Sequence, residues 1–130
     1  TEGAFGLDPA SDLQSPAYKN LIRLLGTQDV NSYAAQTYDH INLVTLALAQ
    51  GKVYTGTGIR DNLRKIANPP WTDVSSFMEG YKLIKEGKKI NFQGASGACD
   101  FDEKGDILSR PFSFSQVKGG KLVVIGGIRG

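Results

Sequence analysis

The sequence predicts an α/β chain in which helices fill the first two thirds and short strands the remainder. Three observations carry that expectation. Apolar residues recur at helical spacing in four successive segments before Gly87. After Gly87 the apolar period shortens, and Phe112 and Phe114 alternate with serines as in a half-buried strand. The third is an imbalance: before Lys89 only one strand is signalled, so the helices lack a sheet of their own to cover. Layer packing then implies that their sheet lies elsewhere and that the chain is incomplete as an isolated unit.

The elements follow in order. Glu2 to Leu7 reads as a short strand leading out through Asp8-Pro9, and Ala10 to Gln14 as a polar loop. Ser15 supplies an N-cap and Pro16 the first helical position. Tyr18, Leu21, Ile22 and Leu25 then mark one helical face, and Gly26 ends it. Asn31 or Ser32 caps the next helix, with Ala34, Tyr38, Ile41, Val44 and Leu48 down one side and Gly51 as the stop. Its other face carries Ala35, Leu43, Leu46 and Ala47, so this helix is expected between layers.

Thr57 or Gly58 opens a third helix, with Ile59, Leu63 and Ile66 as its buried stripe. Asn68-Pro69-Pro70-Trp71 breaks the chain, and Trp71 reads as an aromatic plug for that loop in preference to a recognition surface. Val74, Phe77, Met78, Tyr81 and Ile84 predict a fourth helix ending at Gly87. Lys89 to Gln93 and Ala98 to Phe101 predict two short strands. The Lys118-Gly119-Gly120-Lys121 turn joins the Phe112 strand to Leu122–Ile125 in a closing hairpin.

Composition excludes several classes of function. Fifteen basic and 13 acidic residues give a net charge of +2, too balanced for a nucleic-acid or anionic-membrane partner. No apolar run approaches the ~20 residues of a membrane-spanning helix. The single cysteine, Cys99, permits no internal disulfide, and one His beside scattered acids leaves little for a zinc site. No metal and no cofactor is expected. Thr1-Glu-Gly-Ala-Phe5 has neither an initiator Met nor a signal-peptide pattern and reads as an interior cut.

Individual motifs are weak. Asp100-Phe-Asp-Glu-Lys-Gly-Asp106 starts like a calcium loop, but Lys104 stands at a ligand position and Phe112 where the bidentate Glu belongs. It reads as a polar turn. His40 beside Asp39 has the makings of a general base, yet no nucleophile elbow accompanies it, so a helix-surface imidazole is the preferred reading. Gly94-Ala-Ser-Gly97 lacks the phosphate-loop pattern and reads as a tight connection or hinge.

Taken together, five segments in order carry a resemblance. They are Tyr33-Ala-Ala-Gln-Thr-Tyr-Asp39, Ile59-Arg-Asp-Asn-Leu63, Ile84 through Gly97, Phe101-Asp-Glu-Lys-Gly-Asp106 and Gln116-Val-Lys-Gly-Gly-Lys121. This order resembles the C-terminal portion of the leucine/isoleucine/valine-binding type of periplasmic receptor that serves ABC importers, the type I periplasmic-binding-protein family. Family members have two α/β lobes joined by three crossover strands, with ligand captured in the cleft between them. The resemblance implies non-catalytic capture of a small solute, a branched-chain or other apolar amino acid, in the periplasm. Delivery would be to ABC permease subunits at the inner membrane.

It also divides the chain. Residues 1–89 would be the C-terminal segment of the first lobe, and residues 90–130 the crossover hinge, C-terminal strands and hairpin of the second. Tyr33 matches an aromatic that lines the cleft in amino-acid-binding relatives, with a core aromatic beside the helix cap as the alternative. Phe5, at a crossover, is the second ligand-binding candidate. Gln36 and Asp39, one turn onward, would support the ligand indirectly or stabilise the helix. Amide, urea-like or aromatic acid solutes remain alternatives, as does a proteolytic fragment that only self-associates.

Overall fold

Capping chemistry fixes where each helix begins. In the computed structural model, which describes residues 1–129, α1 (Pro16–Leu25) starts behind Ser15, whose hydroxyl accepts the Tyr18 N–H at 3.0 Å. It ends at Gly26, whose φ of 68° lies in the left-handed region that glycine tolerates. Ser15 is itself buried, so water cannot replace the lost cap. Ser15→Ala should therefore lower the unfolding free energy by ~1 kcal/mol, read from a shift of the urea midpoint at constant slope.

Asn31 caps α2 (Ser32–Gly51), its side chain accepting the Ala34 N–H at 2.9 Å. α3 (Gly56–Ala67) starts earlier than expected, because Thr55 and not Thr57 or Gly58 is the cap, accepting from the Gly58 N–H. α4 (Phe77–Lys85) is capped by Ser76, and Glu79 reaches back to the Ser75 N–H at 2.9 Å. That cap holds Ser76 extended, at φ −153° and ψ 159°, and corrects the placement of Val74. Val74 ends a strand, β2 (Thr72–Val74), which pairs in parallel with β3 (Ile90–Phe92). The helices thus have a small sheet of their own, contrary to the single strand expected before Lys89.

The main core joins both parts. Leu43, Leu46 and Ala47 of α2 and Ile66 and Ala67 of α3 pack with Val74, Ile90, Phe92, Cys99 and Phe101. The buried face of α2 is therefore the one with Ala35, Leu43, Leu46 and Ala47, whereas Ile41 is 61% exposed and Val44 38%. Asp39 and Asn42 lie on the buried face, with polar partners that let the helix turn that way. α4 approaches closely: a Cβ on Gly80 would come within 2.7 Å of Leu46 Cδ2. A second, smaller cluster joins Ala17, Tyr18 and Leu21 of α1 to Ala35 and Ala95.

The second sheet is antiparallel, in the order β1 (Phe5–Pro9), β4 (Pro111–Lys118), β5 (Lys121–Arg129). The expected hairpin is present, its turn made by Gly119 and Gly120 at φ 59° and 72°. Glu2 holds that turn by accepting the N–H groups of both glycines. β1 starts at Phe5, three residues later than expected from Glu2, and runs through Pro9. Ala98 to Phe101 is not a strand; it makes only the isolated pairings Gln93–Ala98 and Phe101–Ile107. The division expected after residue 89 falls where Ile90 enters the same core as Leu46. Gly130, the last residue of the expected second segment, lies outside the described residues.

Candidate functional site

One face of the β1–β4–β5 sheet forms the wall of a groove. The register sets Asp8 opposite Ser113 and Gly6 opposite Ser115, while Ser115 pairs with Val124 and Ser113 with Gly127. Cross-strand partners share a face, so hydroxyls, a carboxylate and an aliphatic surface stand side by side. The loop after β1 and the start of α2 close the other side through Leu13, Val30 and Ser32. The groove measures about 690 Å³ and is open to solvent. Among the described side chains, Asp8 is the one ionisable group lining it. An apolar wall with a few hydroxyls and one carboxylate suits a small solute with an apolar body and a polar or cationic end.

A hydrogen-bonded chain ties the groove to α2. Asp39 is 2% exposed; its Oδ1 accepts the Ala95 N–H at 2.6 Å, and its Oδ2 accepts the Ser96 N–H at 2.8 Å and the Ser96 hydroxyl at 2.5 Å. The Ala95 carbonyl in turn accepts the Asp12 N–H at 2.9 Å, and the Pro111 carbonyl accepts the Ala10 N–H at 2.9 Å. The loop that forms the groove's far wall is thereby anchored at both ends. Gly94 is required for the approach, since a Cβ there would lie 2.4 Å from Asp39 Oδ2. Burial pushes the Asp39 carboxyl above its ordinary range, partly opposed by the Ser96 and Ala95 hydrogen bonds.

The general base raised by the sequence finds no support in this geometry, and neither does a thiol nucleophile. His40 is exposed while Asp39 is buried and committed to the Gly94–Gly97 turn, so the two do not form a dyad. Burial pushes the Cys99 thiol up to about 12, which removes the thiolate a nucleophile needs. Trp71 is 40% exposed with Lys89 Nζ 4.1 Å over its ring, so it is a surface cation–π contact in place of the expected plug.

The four expected ligand-binding residues are dispersed. Tyr33 is 66% exposed, which removes the core-aromatic alternative, and it follows Ser32 at the rim of the groove. Gln36 is half-buried one turn along α2. Asp39 faces the turn at Gly94–Gly97 rather than the groove. Phe5 is 73% exposed on β1, opposite Gln116, and does not line the groove. Sequence reasoning missed Asp8, Ser113 and Ser115, whose signal was the alternation of serines with aromatics along β4.

No protein-family model and no curated protein matches the chain. Among solved structures, a leucine-binding protein, LivK, from Thermotoga maritima matches with a TM-score of 0.65 at 19% sequence identity. The match covers 98% of this chain and 31% of that one, so the chain spans about a third of that protein's length. The likeness is one of fold: the chain has the α/β architecture of part of that leucine-binding protein.

Proposed function

We propose that this chain is the C-terminal portion of an extracytoplasmic solute receptor that captures an apolar amino acid for an ABC permease. The groove beside the β1–β4–β5 sheet carries the proposal: it offers leucine-sized aliphatic surface, serine hydroxyls and the Asp8 carboxylate within one space. In this reading Asp8 pairs with the solute's ammonium group, and Leu122, Val124 and Ile128 take its side chain. Tyr33, exposed beside Ser32, supplies aromatic surface at the rim, whereas Phe5, which does not line the groove, makes no contact with the solute. Gln36 and Asp39 act through α2 and the Gly94–Gly97 turn. The fold likeness to a leucine-binding protein supports the solute class, and no helix among the described residues is long and apolar enough to cross a membrane.

A thermal-shift screen tests this reading. Leucine, isoleucine or valine should raise the melting temperature saturably, since a ligand that binds only the folded state stabilises it by mass action. Asp8→Asn should weaken leucine binding roughly ten-fold, the loss of one charge-assisted contact of about 1.4 kcal/mol, with the fold intact by circular dichroism. A response confined to amides, urea-like compounds or aromatic acids would reassign the solute class within the same groove.

The exposed apolar sheet favours self-association as a second reading. Leu7, Leu122, Val124 and Ile128 are each at least half exposed. Sedimentation over a range of concentrations would reveal it as a rising average mass.

A further inference from the structure

Away from the groove, three oxygen-bearing side chains stand on or beside the parallel sheet. Asp73 and Asn91 are register partners in β2 and β3, and Asn91 Nδ2 donates to Asp73 Oδ1 at 2.9 Å. Beyond β3 the chain folds back, with Gln93 paired antiparallel to Ala98. That bridge brings the segment carrying Asp100 back beside β3. Val74, Phe92 and Cys99, the immediate neighbours of the three, all enter the main core. Alternation along β2 and β3 then turns Asp73 and Asn91 to the opposite side, and Asp100 stands between the core residues Cys99 and Phe101, near enough to Asp73 for their charges to interact.

Two oxygens of this group are buried without a donor. Asn91 is only 5% exposed, and neither its Oδ1 nor Asp100 Oδ1 has a hydrogen-bond partner. The Nδ2 branch of the amide is committed to Asp73, which leaves Oδ1 as its free branch, on the strand that the Gln93–Ala98 bridge joins to the segment carrying Asp100. A buried acceptor carries a desolvation cost unless something satisfies it. Among the described residues, neither Asp73 nor Asp100 forms a salt bridge. Lys89, next to β3, is turned onto the Trp71 ring instead.

Two carboxylates and an amide carbonyl form an all-oxygen donor set of the kind hard cations take, unlike the nitrogen and sulfur sets of zinc or copper. We propose that Asp73, Asn91 and Asp100 bind one divalent cation of the calcium or magnesium class, with Asn91 Oδ1 and Asp100 Oδ1 as direct ligands. The site is separate from the calcium-like motif that begins at the same Asp100. Within that motif Asp102 Oδ1 accepts the N–H groups of Lys104 and Asp106 and so forms a turn. The proposal does not depend on the solute groove, which shares none of these residues.

The chain, stripped with chelator, is titrated with calcium chloride and separately with magnesium chloride at matched ionic strength. One of them should raise the melting temperature saturably, by about 4 °C or more at saturation. Asp100→Asn should abolish that rise and Asp73→Asn should weaken it at least ten-fold, while Asp106→Asn should behave as wild type. Terbium supplies a readout that does not need a variant to fold. Trp71, two residues before Asp73, should sensitise its luminescence in the wild type, and the stronger of calcium or magnesium should displace it. Absence of both the thermal shift and saturable luminescence into the millimolar range would overturn the proposal. So would an undiminished shift in a folded Asp100→Asn variant, or stabilisation by acid but by neither cation, which would assign the two oxygens a shared proton.

Discussion

Asp39→Ala should lower the unfolding free energy by ~3 kcal/mol, because it strands three donors in the interior at once. The Ala95 N–H, the Ser96 N–H and the Ser96 hydroxyl all lose their acceptor, and Ser96 is itself only 5% exposed. Ser96→Ala removes a donor together with one contact and should cost only ~1 kcal/mol. Asp39→Asn falls between them, since its NH₂ must face a backbone N–H where a carboxylate oxygen stood. Equilibrium urea denaturation separates the three. The effect should extend to the groove, because the Ala95 carbonyl holds the Asp12 N–H of its far wall.

The pH dependence has a defined sign. Burial raises the Asp39 carboxyl above its ordinary value of 3.8, so the folded state accommodates the protonated form better than the unfolded chain does. Its contribution is then fully present below 3.8 and declines as pH rises through the folded value. The stability difference between wild type and Asp39→Asn should shrink across that interval and stay level above it.

Gly94→Ala is expected to be nearly as costly, at ~2–3 kcal/mol, through overpacking. Its Cβ would lie 2.4 Å from Asp39 Oδ2 and 2.6 Å from Asp39 Cγ, and the carboxylate cannot retreat without breaking its bonds to the turn. The two substitutions should therefore couple. In the Asp39→Ala background the carboxylate atoms nearest the added methyl are gone, so the double variant should be more stable than the sum of the single losses predicts. Strict additivity would mean that Gly94 is constrained by something other than Asp39.

Helix positions were legible because capping residues announce themselves: Ser15 with Pro16, and Asn31 ahead of Ser32, both act as their chemistry requires. The closing hairpin was equally plain from Gly119-Gly120. β2 was hidden because three residues are too short to show a period, and Val74 happens to stand at helical spacing from Phe77 and Met78. The buried face of α2 was ambiguous because both its faces are apolar; contact with α3 and α4 chose between them. The candidate groove was the least legible part. Its lining comes from residues 8–14, 30–32 and 111–128, which only the strand register brings together. The Asp39 anchor depends on a backbone turn at residues 94–97, and no side-chain pattern encodes such a partner.

Isothermal titration of the folded chain with leucine tests the central claim most directly. Saturable one-to-one heat, shared by isoleucine and valine and weakened roughly ten-fold by Asp8→Asn, is the result predicted for a receptor groove built on the β1–β4–β5 sheet. Binding of leucine that is unchanged in Asp8→Asn, or no binding of any of the three amino acids, would contradict it.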